Sequence, residues 1–170
     1  MKKYNIVEEI ALDMHSNKKL MPEDKYVVSD EEILKKLEQL EDLEQTDRDG
    51  RTLLINAALY DRKSAIEYLL KRNANVNAQD KGGYTALHAA VQEGNVEIIK
   101  MLLENGADIH ARDVYGNTPL LRTRSVAPKE VFEILLNHGA DPKEKNDFGV
   151  SLLDAFQAYP EIINILTEKK

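Results

Sequence analysis

The sequence has no cysteine and no tryptophan among its 170 residues, and only 6% of them are aromatic. The lack of cysteine excludes disulfide bonds, thiolate metal sites and cysteine nucleophiles, and it fits a reducing compartment. No apolar run is long enough to span a membrane, and Glu8, Glu9 and Asp13 interrupt the start of the chain, where a signal peptide needs an apolar core. We therefore expect a cytoplasmic protein without a membrane segment.

The sequence also has fewer basic than acidic residues. The chain has 23 lysines and arginines against 30 acids, which gives a net charge of −7. Residues 1–46 alone hold 7 lysines against 12 acids, so most of the excess lies in the N-terminal segment. A surface of this sign repels phosphate backbones. We therefore expect no nucleic acid among the partners.

Sequence patterns of enzymes and metal proteins are missing as well. The chain contains no P-loop, no Rossmann glycine pattern, no G-x-S-x-G and no H-E-x-x-H. Its 4 histidines are not spaced as ligands on a helix, and no cysteine is present to complete a zinc site. We expect no enzymatic activity, no metal and no cofactor. A catalytic or small-molecule role stays an alternative, because so many acids bring some carboxylates together by chance.

What the sequence does contain is an internal repeat of 33 residues. A period of this size is typical of stacked repeat architectures. Each unit opens with a turn, continues with a first helix that has small residues, and ends with a second helix that has an apolar stripe. Such stripes are not buried within one unit, so the units must stack. The period is marked by four glycines, Gly50, Gly83, Gly116 and Gly149, each followed two positions later by a hydroxyl residue, Thr52, Thr85, Thr118 or Ser151.

Over residues 83–113 the sequence resembles the ankyrin repeat family. The segments Thr85-Ala86-Leu87-His88 and Thr118-Pro119-Leu120 resemble the T-P-L-H signature of the family, and Asn105-Gly106-Ala107-Asp108 and His138-Gly139-Ala140-Asp141 resemble its G-A-D ending. The resemblance covers about residues 42–170. It implies an all-α solenoid of stacked helix-turn-helix units with terminal caps. It also implies that His88 makes hydrogen bonds that hold the turn and the helix together.

We divide the chain into five parts on this pattern. Residues 1–46 are predicted to form an N-terminal helical cap with a degenerate repeat, residues 47–79, 80–112 and 113–146 to form three full repeats, and residues 147–170 to form a C-terminal capping repeat. Within the first cap, a helix from Tyr4 to His15 is followed by a loop at 16–28 and by a second helix to about Leu40. Ser29 and Glu32 predict a capping box at the start of that second helix.

The resemblance further implies a noncatalytic function in protein binding. In the family, the turn tips and the exposed side of the first helices form a concave surface that recognises partners. Arginines and aromatic residues are the residues most enriched among interface hot spots. The alternative is that the tyrosines at the tips only cover neighbouring repeats. The family pattern places the candidate partner-binding residues at Arg48, Arg51, Tyr60, Lys81, Tyr84, Glu93, Tyr115, Asn117, Arg122, Arg124 and Phe148.

The third repeat departs from the pattern at Arg122 and Arg124, close to positions where the other repeats carry small, packed residues. Burying an arginine is costly unless it is paired or reaches solvent. We hypothesise that these arginines belong to a basic aromatic patch that recognises an acidic surface of the partner, together with Tyr84, Tyr115, Arg51 and Lys81. The alternative is that the arginines pair with nearby acids such as Glu93 or Asp154.

The role of this binding is a separate question. Short, freestanding chains of this kind resemble bacterial ankyrin proteins, some of which are immunity or inhibitor proteins that neutralise a toxin or an enzyme. A scaffold that holds two partners is a further possibility. We expect a chain that is a monomer on its own and that binds another protein.

Overall fold

A computed structural model describes residues 6–15, 28–123 and 127–167. The predicted loop before Val28, Arg124 and the polar C-terminal end lie outside these ranges. Within them the chain forms nine α-helices, one 3-10 turn and no extended strand, so the all-α architecture predicted from the sequence is confirmed. The elements are α1 Ile6–His15, α2 Asp30–Glu38, α3 Leu53–Leu59, α4 Lys63–Lys71, α5 Ala86–Glu93, α6 Val96–Glu104, the 3-10 turn Leu120–Arg122, α7 Lys129–Asn137, α8 Leu152–Ala155 and α9 Pro160–Thr167.

Each 33-residue unit opens with the same tight turn. One side-chain oxygen of its first residue accepts hydrogen bonds of 2.8–3.0 Å from the backbone N–H groups two and four positions further on. The glycine three positions further on has a φ between 73° and 78°, which glycine adopts most easily. The first residues of the four turns are Asp47, Asp80, Asp113 and Asn146.

Neighbouring turns are joined to each other in a fixed register. In each case, one backbone N–H of a turn donates to a carbonyl of the turn before it. The sequence period thereby becomes a row of turn tips along one edge of the molecule. The three bonds run from Lys81 to Asp49 at 3.1 Å, from Val114 to Gly82 at 2.8 Å and from Asp147 to Tyr115 at 3.1 Å.

The helices form two layers behind this row. In the first layer, α1 packs against α3, α3 against α5, and α5 against the 3-10 turn. In the second layer, α2 packs against α4, α4 against α6, α6 against α7, and α7 against α9. The core lies between the layers, where Leu69, Leu87 and Leu102 are fully buried. Each such side chain contributes roughly 1.5–3 kcal/mol of transfer free energy, so stacking supplies the burial that one unit lacks.

The helix ends agree with the signals read from the sequence. Ser29 and Glu32 form the predicted capping box at the start of α2. Gly106 and Gly139 follow their helices with φ values of +84° and +96°. Asn73 takes the left-handed conformation at the equivalent position of the first full repeat, with a φ of +59°. These residues satisfy the last carbonyls of the helices and turn the chain back toward the tips.

The described part of the third repeat has no first α-helix, although the pattern predicts one. The prediction is wrong here, because the described part of this segment contains only the 3-10 turn, after which Thr123 is extended, with φ −62° and ψ 134°. The hydroxyl of Thr123 donates to the carbonyl of Leu120 at 2.7 Å. A threonine that bonds to nearby backbone offers the chain an alternative to the helix. The small residues that permit a helix at this position in the other repeats have no such hydroxyl.

Arg62, which the sequence pattern did not single out, joins the N-terminal helices to the first full repeat. Its side chain is buried, and it donates to the carbonyls of Met14 at 3.0 Å and Asp13 at 3.1 Å and to the carboxylate of Asp30 at 3.0 Å. The last carbonyls of a helix have no partner within the helix and favour a cation. One guanidinium thus holds α1 and α2 against α4, which supports our proposal that residues 1–46 form a cap.

Candidate functional site

The turn tips and the first helices border two adjoining grooves. The N-terminal groove has a volume of about 330 Å³ and lies between α1 and the first turn. The central groove has a volume of about 320 Å³ and lies between the turns of the second and third repeats. Arg51 lines both grooves, so they adjoin at this residue. Of the predicted binding residues, Arg48, Arg51 and Tyr60 line the N-terminal groove, and Arg51, Tyr84, Tyr115 and Arg122 line the central groove.

The arginines of the N-terminal groove are held in ion pairs. Arg48 donates from Nε to the carboxylate of Glu8 on α1 at 2.7 Å. Arg51 lies 3.2 Å from the carboxylate of Asp49 through Nη1. The ring of Tyr60 packs edge to face against His15, with 4.7 Å between the ring centres. Burial raises the pKa of the Tyr60 hydroxyl. This groove is therefore walled partly by the N-terminal helix.

The central groove is built around Tyr84. Its hydroxyl donates to Oε1 of Gln92 at 2.6 Å, and burial raises the pKa of Tyr84 to about 12. The guanidinium of Arg122, from the next repeat, lies 5.6 Å from the centre of the Tyr84 ring. An arginine at this distance is attracted to the ring face. Tyr84 and Arg122 therefore hold two repeats together and also line the groove.

Arg122 is paired within the chain, with Asp113 rather than with Glu93 or Asp154 as the sequence analysis suggested. Its Nε donates to Oδ2 of Asp113 at 2.8 Å, and Nη2 contacts the same oxygen. Burial alone would raise the pKa of the Asp113 carboxyl, but hydrogen bonds from the backbone of Asn117 and from Arg122 outweigh it and hold that pKa below its ordinary value. The arginine that breaks the repeat pattern thus neutralises the buried acid of its own turn.

Three large side chains are exposed at the tips next to the central groove. Val114 is 57% exposed, Tyr115 53% and Phe148 72%, and the rings of Tyr115 and Phe148 lie 6.2 Å apart. We refer to these three residues as the tip patch. Val114 and Tyr115 also line the central groove, so the patch continues the groove toward the C-terminal end of the row. Phe148 was predicted as a binding residue and lies beside the groove rather than in it.

The other predicted residues have different positions. The amine of Lys81 donates to the carbonyl of Arg48 at 2.6 Å. Asn117 is half-buried and joins the third and fourth turns, since it donates to Asp113 at 3.1 Å and accepts from Asn146 at 2.8 Å. Glu93 is exposed at the end of α5. Arg124 lies outside the described ranges. Of these four residues, Asn117 has a structural role in the turn.

His88 is fully buried and links the second repeat to the third. Its Nδ1 accepts from the backbone N–H of Thr85 at 3.2 Å, so Nε2 carries the hydrogen and donates to the carbonyl of Asn117 at 3.1 Å. The structure thus agrees with the role that the family resemblance implies for His88. The neutral ring satisfies both contacts, and burial lowers the pKa of the imidazole.

We expect the stability of the protein to fall below about pH 6.5, the ordinary pKa of histidine, by up to about 1.4 kcal/mol per pH unit. The unfolded chain takes up a proton at His88 that the folded chain resists, so unfolding gains free energy as the pH drops toward the lowered pKa of the folded state. Urea unfolding of the wild type and of His88→Gln as a function of pH measures the effect. Parallel stability curves for the two proteins would contradict it.

Two further observations concern metal binding and membrane spanning. Over the residues that the structure describes, no group of three histidine or acidic side chains could hold a metal ion. None of the helices in the same ranges is long and apolar enough to cross a membrane.

The comparison with known families agrees with this geometry. A family model of ankyrin repeats in three copies matches residues 26–113, which is 88 of the 170 residues. The chain belongs to the ankyrin repeat family. The matched region includes α2, upstream of the first full repeat, and it contains the turns of the first two repeats. Ankyrin repeats are generally protein–protein interaction modules. A search of curated proteins finds no significant match.

Proposed function

We propose that this ankyrin repeat protein binds another protein through its concave face and catalyses no reaction. The observation that carries the proposal is the tip patch beside the central groove. Three large side chains are more than half exposed there, and two of them continue into the groove. Exposed apolar clusters of this kind mark interaction sites, and aromatic residues next to a concavity are typical hot spots.

We expect the double substitution Tyr115→Ala with Phe148→Ala to weaken capture of the partner at least about tenfold, because two exposed rings lose their contact area. The free energy of unfolding should change by no more than about 0.5 kcal/mol for each exposed position. Affinity capture from native lysate, quantified by mass spectrometry, measures the binding. Urea unfolding verifies the fold.

A matched control is available in Tyr159, which is 41% exposed and lies between α8 and α9, at the opposite end of the helices from the turn tips. Tyr159→Ala should leave capture unchanged. Equal loss in both variants, or no loss in the double variant, would contradict a binding site at the tips.

The specific role is part of the same proposal. We propose that the chain is a monomer before it binds and that it acts in the cytoplasm, as the lack of cysteine favours. The alternative of an immunity or inhibitor protein predicts a one-to-one complex in which the partner loses its activity. A scaffold would instead hold two partners on separate surfaces. Measuring the stoichiometry and the activity of the captured complex distinguishes these roles.

A further inference from the structure

The unused hydrogen-bonding groups of the central groove are mainly donors. Asp113 engages Nε and Nη2 of Arg122, which leaves Nη1 without a hydrogen-bond partner among the described residues. Gln92, which lines the groove, accepts from Tyr84 through Oε1, and its amide N–H₂ has no hydrogen-bond partner in the described ranges. Arg51 pairs with Asp49 through Nη1 and with Asp80 through Nε, at 3.8 Å, which leaves its Nη2 unengaged within the described part of the chain. A ligand that satisfies these three side chains must supply acceptors.

The acids near the central groove are already engaged within the chain. Asp80 lines the groove, but its side chain is only 10% exposed; Oδ1 accepts from two backbone N–H groups of its own turn, and Oδ2 lies 3.8 Å from Nε of Arg51. The side chain of Asp113 is 1% exposed. The charged groups that line the central groove are thus two arginines and one engaged carboxylate. The N-terminal groove is lined by two arginines and three acids, so the central groove has fewer acids among its lining residues although the two grooves share Arg51.

From this donor set and the tip patch beside it we infer that the central groove binds an acidic segment of the partner, in which an aspartate or glutamate side chain stands close to an aromatic or large aliphatic one. The carboxylate lies between Arg51 and Arg122, and the apolar side chain covers Val114, Tyr115 and Phe148. Arginine suits a carboxylate because its planar fork donates two parallel hydrogen bonds. The inference rests on the proposed function, because it specifies the partner of the same surface.

The test uses a random dodecapeptide library displayed on phage and selected on the immobilised full chain. Selected peptides are synthesised with a C-terminal amide, so that carboxylates come from side chains alone. We expect enrichment of Asp or Glu close to an aromatic or large aliphatic residue. Replacing that acid by its amide should weaken binding, measured by fluorescence anisotropy, by about tenfold or more. Peptides that bind only with a free C-terminus would instead identify a terminal carboxylate as the ligand and overturn the assignment to a side chain.

Variants of the protein assign the carboxylate to the two arginines. Arg51→Gln removes a partly exposed guanidinium and should weaken binding by about tenfold. Arg122→Gln alone leaves the buried Asp113 unpaired, so it is combined with Asp113→Asn. Asn146 makes the same turn contacts in the fourth turn, which makes this double variant compatible with the fold. Lys100→Gln, an exposed cation on α6, is the control and should leave binding unchanged.

The outcomes separate this inference from the proposed function. Selected peptides that are basic or uncharged, or whose binding survives Arg51→Gln and the double variant, overturn the inference. If such peptides still lose binding when Tyr115 and Phe148 are replaced by alanine, the proposed function stands. A selection that enriches no peptide also overturns the inference, since the groove then recognises no linear acidic segment. The proposed function is judged independently by the capture of the native partner.

Discussion

Replacing Arg62 with alanine is expected to lower the free energy of unfolding by about 3 kcal/mol, because a buried cation that donates to two carbonyls and a carboxylate is lost. The carbonyls of Asp13 and Met14 at the end of α1 then lose a hydrogen-bond donor next to the core. The helix is then held by its apolar face, with Val7 and Ile10 fully buried, and by the ion pairs of its acids with Arg48 and Lys36.

Urea unfolding measures the loss, and amide hydrogen exchange locates it. The amides of α1 should exchange faster in Arg62→Ala than in the wild type, while those of α5 and α6 should change little. Arg72→Ala is the matched control, since Arg72 is exposed at the other end of α4 and its side chain contacts Tyr68, to whose hydroxyl it donates at 2.7 Å. The role assigned to Arg62 would be contradicted if both variants lost a similar free energy of unfolding. It would also be contradicted if amide exchange became faster to the same extent along the whole chain.

Replacing Gly83 with alanine is expected to destabilise the protein more than the same change at Gly149, by about 1–3 kcal/mol. Both glycines have a positive φ, +73° and +75°, so an added Cβ strains both turns equally. At Gly83 the Cβ would also lie 2.9 Å from Cα of Asp113 and 3.1 Å from the carbonyl oxygen of Arg112. At Gly149 it meets nothing within 4 Å among the described residues.

Alanine has the same effect on the unfolded chain in both variants. The difference between their free energies of unfolding therefore reports the contact between neighbouring turns. Thermal or urea unfolding of both variants gives this difference. Equal destabilisation would show that the turns of the second and third repeats do not pack as tightly as their backbone hydrogen bond requires. A larger loss at Gly149 would contradict the stacking order of the turns.

The repeat geometry was readable from the sequence because the same physical requirement recurs at a fixed spacing. Each turn needs a residue with positive φ, and glycine fills that position four times. The capping box of Ser29 follows from local chemistry, and the contacts of His88 were implied by the family resemblance. Features that occur once in the chain have no period and were harder to find.

Arg62 illustrates this difficulty. The equivalent residues of the next two repeats are Asn95 and Pro128, so comparing repeats gives no common role for the position. The available signal was the residue type. Asn95 caps its helix through its side chain, whereas arginine is a poor cap and therefore has another reason to be there. The reason is the pair of hydrogen bonds that Arg62 donates to the last carbonyls of α1, which lies far away in the sequence.

The partner of Arg122 was predictable in principle, but not from the neighbouring acids in sequence. In the first full repeat, Asn56 donates to Asp47 at 3.0 Å, and these residues are nine positions apart, like Arg122 and Asp113. The repeat register therefore identifies the correct acid. The missing first helix of the third repeat was not predicted, because Thr118-Pro119-Leu120 matches the start of a normal repeat and the departure that begins at Arg122 was interpreted as a binding feature rather than as the end of the helix.

The binding surface itself is tested most directly by photo-cross-linking. A benzophenone amino acid is placed at Phe148 and, separately, at Tyr68 on α4 in the second layer of helices. It is activated in cells of the native host, and cross-linked products are identified by mass spectrometry. We expect a covalent complex with one protein from position 148 and none with that protein from position 68. Cross-linking of that protein from position 68 but not from position 148 would contradict recognition through the concave face.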